Sequence, residues 1–233
     1  MMIEIFEPSL PAIVTAGFAG TYVLMISVFN MVGRIFWASM SDFIGRKPTY
    51  FIFFSLGILL YLSIPFTAKA MSVDPIVTYL ILFYAASMVI FTMYGGGFAT
   101  IPAYLADIFG TKYVGGIHGR LLTAWSTAGV LGPVAITQLR QNSVDNAIND
   151  LVSKISPEKF TEIYGTSVEN LSLLVQEKTV TISNLMPHMP EGTINPSTTL
   201  YNSTMFAMAG LLAIAFVANL LIGPVNEKHH MKE

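Results

Sequence analysis

The sequence predicts an all-α membrane protein with five transmembrane helices, and three observations carry that reading. Charged residues make up 11% of the 233 residues, against roughly 25% in an average soluble domain, and apolar residues make up 53%. Runs of about 20 residues without Asp, Glu, Lys or Arg recur along the chain, the length that crosses a bilayer core of ~30 Å. Charge collects between those runs, where turns belong. A soluble globule needs charge over its surface, so the partner this composition fits is the lipid bilayer.

The first span is expected at about 12–41. Pro8 to Gly33 is uncharged, too long for the apolar core of a signal peptide and not preceded by a basic segment, so it reads as a retained span. Helix continues through Arg34 to about Ser41 and is expected to break at Gly45 and Pro48, since proline disfavours helix at the residue before it. The second span is 49–68; its stretch from Tyr50 to Phe66 is aromatic-rich and uncharged, and reads as lipid-facing scaffold. The third, 76–106, follows Asp74-Pro75, read as a cap and a first-turn proline, and Pro102 is expected to kink its far end. The fourth is 119–139 and the fifth 199–223, each near or above the spanning minimum.

Between the last two spans, residues 140–198 turn to Asn, Asp, Ser, Lys and Glu and form an expected extracytoplasmic insert. Short amphipathic helices are expected around Pro157–Tyr164 and Val168–Lys178, with Ser156 and Ser167 as N-caps and Gly165 as a helix stop. A capping loop with two small helices is the favoured role, and a ligand or partner role is the alternative. Residues 224–233 form an expected cytoplasmic tail.

A net charge of −2 carries no polyanion signature, so nucleic acid is not an expected partner. Without Cys there is no disulfide, no Cys-ligated zinc and no Cys nucleophile. His188, His229 and His230 have no spacing that makes a metal site, and no nucleophile, base and orienter come together in the sequence. Neither a catalytic residue nor a cofactor nor a metal is expected. Arg34, Arg46, Lys47, Lys112, Arg120, Lys228 and Lys232 flank spans on one side, and Lys69 and Arg140 on the other. That bias of seven to two puts the N-terminus outside and the C-terminus in the cytoplasm of a multi-pass protein of the inner (plasma) membrane. A chain that starts outside without a signal peptide is awkward to insert, which points to a missing preceding helix.

The stretch Gly33-Arg34-Ile35-Phe36-Trp37-Ala38-Ser39-Met40-Ser41-Asp42-Phe43-Ile44-Gly45-Arg46-Lys47 ends one span on an acid, turns on a glycine and offers two cations before the next. It resembles the loop signature of the major facilitator superfamily, G-x-L-x-D-R-x-G-R-K. Asp42, Gly45, Arg46 and Lys47 fit the pattern, while Ala38 stands at the first Gly and Phe43 at the first Arg. Tyr94 to Lys112, with Gly95-Gly96-Gly97, Pro102 and Asp107, then His118-Gly119 and Thr123-Ala124-Trp125 through Gly129 to Gly132-Pro133, resembles the oxalate/formate antiporter-like, monocarboxylate branch. The resemblance implies that the five spans are helices eight to twelve, a partial C-terminal bundle, with a missing or separate N-terminal half as partner. It implies a secondary transporter for a small organic carboxylate, such as oxalate, formate or another monocarboxylate, working by alternating access. The competing reading is a non-transporting degenerate or scaffold-like membrane fragment, because five helices do not build a two-bundle pathway.

Arg34 is the sharpest site candidate. Eight residues before Asp42, it lies roughly 12 Å into a core ~30 Å thick, where a cation costs at least ~2.5 kcal/mol and faces a cavity or a partner. Ser27, Asn30, Arg34 and Ser41 share one face at helical spacing. The resemblance also places a substrate-contacting arginine in this helix, so Arg34, Asn30, Tyr94 and Trp125 are the expected substrate-binding residues. In oxalate-specific members the resemblance leads one to expect a lysine near the position of Trp125, which is uncharged here and favours a monocarboxylate. Arg34 snorkelling to headgroups or pairing with Asp42 is the structural alternative. Asp42, Gly45, Arg46, Lys47, Asp107 and Arg120 form the expected gating cluster, with Asp42 paired to Arg46, Lys47 or another bundle; Asp107 can pair with Lys112 or Arg120, and a solvated loop charge is its favoured reading. Gly95, Ala99 and Ala103 repeat every four residues and read as close helix packing, with a hinge as the alternative. Gly129, Gly132 and Pro133 read the same way. His118 invites a proton-coupling role, but an ordinary interfacial histidine is the favoured reading.

Overall fold

The computed structural model describes residues 1–223 and Val225. The rest of the expected tail, with Lys228, His229, His230 and Lys232, lies outside the described residues. A short α1 (Met2–Phe6) precedes four long helices, α2 (Ala16–Ile44), α3 (Arg46–Val73), α4 (Val77–Phe109) and α5 (Val114–Val152). Short helices α6 (Pro157–Tyr164), α7 (Leu171–Gln176) and α8 (Ile182–Leu185) follow, and α9 (Asn202–Leu221) is the last described helix. Among the described residues there is no strand. Four helical stretches are long and apolar enough to cross a membrane: Ala16–Ile44, Arg46–Val73, Val77–Phe109 and Pro196–Leu221.

The boundaries follow local chemistry. The first span starts at Ala16 rather than 12, because the Thr15 hydroxyl accepts from the backbone N–H of Phe18 and caps the helix there. It ends at Gly45, whose φ of 89° and ψ of 156° lie in a region essentially confined to glycine. Gly110 repeats the device between α4 and α5 at φ 81°. The expected break at Pro48 does not occur: Pro48 sits in the first turn of α3, where its missing N–H has no intrahelical acceptor to lose. Asp74 is the C-cap of α3 and not an N-cap; Ile76 occupies the N-cap of α4, with no side-chain bond. Pro102 lies inside α4, which runs on to Phe109.

The fourth expected span, 119–139, lies within α5, which is not among the four apolar stretches. Thr123, Ser126, Thr127 and Gln138 dilute its hydropathy, and the helix passes Arg140 without a break to reach Val152. Residues expected to open the insert are therefore its last turns. In the insert, the Ser156 hydroxyl caps α6 by accepting from Lys159, and Gly165 ends it in the left-handed region, as expected. Ser167 makes no side-chain cap, and the second piece begins as a 3₁₀ turn, Val168–Asn170, before α7.

Two hydrophobic cores result. One joins α1 to the long helices through Ile5, Phe6, Tyr22, Met71 and Phe83, and the Phe6 and Phe83 rings lie 4.8 Å apart. The other belongs to the insert: Ile148, Leu151 and Val152 of α5 pack with Phe160, Leu174 and Leu185. The α2–α4 contact is the most extensive between helices. A Cβ on Gly33 would overlap the backbone of Thr92, and one on Gly95 the backbone of Asn30. Small residues let the two backbones touch, as membrane helices use them to do. The second span is not plain lipid-facing scaffold, since Thr49, Phe53, Ile64 and Ala68 of α3 are buried.

Candidate functional site

At the Gly45 end of the bundle, the α2–α3 turn gathers charge from three helices. The Arg46 guanidinium is paired with Asp42 and with the Ser41 hydroxyl, and its Nε lies 3.9 Å from Asp107 Oδ2 of α4. Asp107 thus turns to Arg46 and not to Lys112 or Arg120. Lys112 lies 5.9 Å from the Tyr113 ring, and Arg120 makes no ion pair among the described residues. The reason is reach: Gly45 lets α3 fold back beside α2, so its first residue faces both acids, whereas Lys112 and Arg120 follow the Gly110 turn on the other side.

Lys47 does not join this pairing. Its Nζ donates to the carbonyls of Leu220, at 3.0 Å, and of Ile222. These are C-terminal carbonyls of α9, orphaned by the helix end and favourable to a cation. Asn219 Nδ2 donates back to the Lys47 carbonyl at 3.2 Å, and Tyr104 donates to Asn219 Oδ1 at 3.0 Å. Tyr104, Lys47 and Asn219 therefore lock α4 and α3 to α9. This lock was missed in the sequence, although a lone Asn at the end of the apolar run Phe206–Leu221 is its trace.

On α2 the polar face takes a different shape from the expected stripe. Asn30 Oδ1 accepts from Arg34 Nε at 3.3 Å, and Arg34 is exposed with no ion pair among the described residues. Ser27 is exposed on the same side, whereas Ser41 is buried beneath Arg46. Arg34 neither pairs with Asp42 nor retreats into the bundle. It stands on the open flank of α2, oriented by Asn30 one turn away.

Tyr94 and Trp125 come together on another side. Their rings flank Phe98, at centroid distances of 5.4 Å and 5.3 Å, and both line one cavity between α3, α4, α5 and α9. Arg34 and Asn30 do not line it. The four expected substrate residues thus form two groups, Asn30 with Arg34 on α2 and Tyr94 with Trp125 at the cavity. Gly95 sits in that seam, and the neighbouring Gly96 abuts Trp37, whose Nε1 donates to Thr92 at 3.2 Å. A Cβ on Gly97, Gly129 or Gly132 would meet nothing within 4 Å, so the packing expected at the last two is not made within this bundle.

At the opposite end of the bundle a second polar cluster went unread in the sequence. The Glu4 carboxylate accepts from Arg140 and from the Tyr201 hydroxyl, and Arg140 Nε donates to Tyr201 at 3.1 Å. Burial pushes the Glu4 carboxyl up, and the bonds from Arg140 and Tyr201 outweigh it, leaving the group below its ordinary range. The triad ties α1 and the start of α9 to α5.

No family profile matches the chain, and no solved structure matches it. A stretch of 117 residues is 30% identical to an oxalate:formate antiporter of Oxalobacter formigenes. That stretch covers 49% of this chain and 26% of the relative's length.

Proposed function

We propose that the chain is one helix bundle of a secondary transporter of the major facilitator type, moving a small organic monocarboxylate by alternating access against a second bundle. The observation that carries the reading is Arg34, a cation held by Asn30 on the uncovered face of an otherwise apolar helix. A guanidinium there needs a water-filled cavity or an anion, and its planar fork matches a carboxylate in two bonds. The distant match to an oxalate:formate antiporter supports the same substrate class. On this reading α5 is a fifth crossing, and its Thr, Ser and Gln residues line an aqueous pathway, which is why its hydropathy falls below that of the other spans. Gly129 and Gly132 then meet the second bundle. The Asp42, Arg46 and Asp107 cluster closes and opens at the cytoplasmic side, with the N-terminus and the insert outside.

Reconstitution tests it. Co-expressed with a partner that supplies the seven remaining helices, the chain shows saturable carboxylate counterflow in liposomes. Arg34→Lys raises the half-saturating carboxylate concentration about tenfold or more at unchanged membrane insertion. Unaltered affinity removes Arg34 from the site. Absence of counterflow with any complementary bundle favours the second reading, a non-transporting scaffold.

A further inference from the structure

Three side chains on the open flank of α2 hold hydrogen-bonding capacity that the bundle does not use. Arg34 donates from Nε to Asn30 Oδ1 at 3.3 Å, and its Nη1 and Nη2 have no partner among the described residues. Asn30 commits its carbonyl oxygen to that bond and leaves both Nδ2 hydrogens free. Ser27 is exposed one turn before Asn30. Hydroxyls elsewhere in the spans turn back onto their own helix, as Thr21 does to the Gly17 carbonyl at 3.1 Å and Ser55 to that of Phe51 at 2.7 Å, whereas Ser27 makes no such bond among the described residues. Helical side chains lean toward the N-terminus, so the Arg34 guanidinium lies back over Asn30 and toward Ser27. The mount is stiff: the Asn30 backbone abuts Gly95, and Gly33, beside Arg34, abuts Thr92.

We propose that Ser27, Asn30 and Arg34 form one subsite that selects a monocarboxylate bearing a second oxygen, hydroxyl or oxo, on the carbon next to the carboxylate. This subsite rests on the reading of Arg34 as the substrate-binding cation of a transporter, and adds what its neighbours select. With Nε held, the guanidinium offers its Nη1 and Nη2 edge end-on to the two carboxylate oxygens, and Asn30 Nδ2 gives a third donor. Ser27 Oγ then takes the second oxygen. Its Cβ lies roughly 5–6 Å from that of Asn30, a gap that an acid with neighbouring oxygens fills by a hydrogen bond at each side. The charge count fixes the rest of the class. One cation and two neutral groups match one negative charge, so the second carboxylate of oxalate would meet a hydroxyl with no cation behind it. Formate and propionate leave Ser27 unanswered.

The probe is phenylglyoxal, which modifies free guanidinium groups, applied to the full chain in lipid nanodiscs and read by the mass of the peptide that carries Arg34. It needs no counterflow and so no second bundle. 2-Hydroxypropionate should half-protect Arg34 at a roughly five- to tenfold lower concentration than propionate, the size of one hydrogen bond, with Arg120 modified at the same rate under both acids. Ser27→Ala should bring the two acids within about twofold of each other, Ser27→Thr should keep the preference, and Asn30→Ala should weaken protection by both. Equal protection of the unmutated chain by the two acids overturns the subsite and leaves Arg34 a plain carboxylate contact. So does a preference that survives Ser27→Ala. No protection by either acid overturns the subsite together with the transport reading's use of Arg34.

Discussion

Gly33 and Gly95 are places where one methyl group decides whether α2 and α4 can meet. The atoms a Cβ would strike belong to backbone, which has no rotamer to escape into. Gly33→Ala or Gly95→Ala should therefore destabilise the bundle by about 1–3 kcal/mol, against the ~1 kcal/mol that alanine normally gains over glycine in a helix. Gly97→Ala and Gly210→Ala, at open positions, should be neutral or mildly stabilising. Reversible unfolding in mixed micelles compares the four, and equal midpoints would show that the seam is looser than its geometry. Spacing in the sequence marked Gly95 as a packing residue. It did not separate Gly95 from Gly129 or Gly132, because which glycine touches a neighbour depends on where the next helix lies, and periodicity along one helix carries no such information.

The α2–α3 turn shows the same division between what a segment encodes and what its neighbours add. Asp42, Gly45 and Arg46 are legible as a unit because they interact across one turn: Gly45 takes the backbone where other residues do not go, and Arg46 reaches back to Asp42. The Arg46 partner of Asp107 and the α9 carbonyls that Lys47 meets are not legible in the segment, since both are chosen by elements distant in sequence, α3 in the first case and the α9 end in the second. The boundary of α5 was misread for a related reason. A drop in hydropathy at Arg140 predicts the end of a span, yet it marks a change of surroundings along a helix that continues. An exposed ion pair of this kind contributes ~0–1 kcal/mol, enough to shift a nearly balanced two-state equilibrium several-fold. In a complete transporter, Asp42→Asn should slow exchange several-fold while leaving substrate affinity within about twofold. Equal exchange rates would reduce the cluster to a turn-forming device.

Across the whole molecule, the Glu4, Arg140 and Tyr201 triad fastens the first residues to the far end of α5. Because the Glu4 carboxyl is held below its ordinary value of 4.5, the fastening is fully present above that pH and is lost as pH falls through the lower folded value. Protection of the amides of residues 2–14 against hydrogen exchange, taken relative to the intrinsic rate at each pH, should therefore fall as pH is lowered below 4.5, and Glu4→Gln should show the reduced protection already at pH 7. A flat profile in the unmutated chain would mean that α1 is held by Phe6 and Ile5 alone. The orientation has its own check. With no native Cys to interfere, Ser172→Cys, exposed on the insert, should react with an impermeant maleimide in intact cells. Labelling only after the membrane is breached would invert the topology.

α5 is unbroken over 39 residues, which at 1.5 Å per residue is roughly 58 Å of rod, about twice the thickness of the bilayer core. Its far third is embedded in the insert through Ile148, Leu151 and Val152, so the insert moves as the rod moves. Such a rod is a lever. A tilt of roughly 10° about the Gly110 turn swings its tip by roughly 10 Å, while the same tilt displaces side chains near Trp125 by only about 3 Å. The insert is then a pointer needle: it magnifies a small internal rotation into a displacement several times larger.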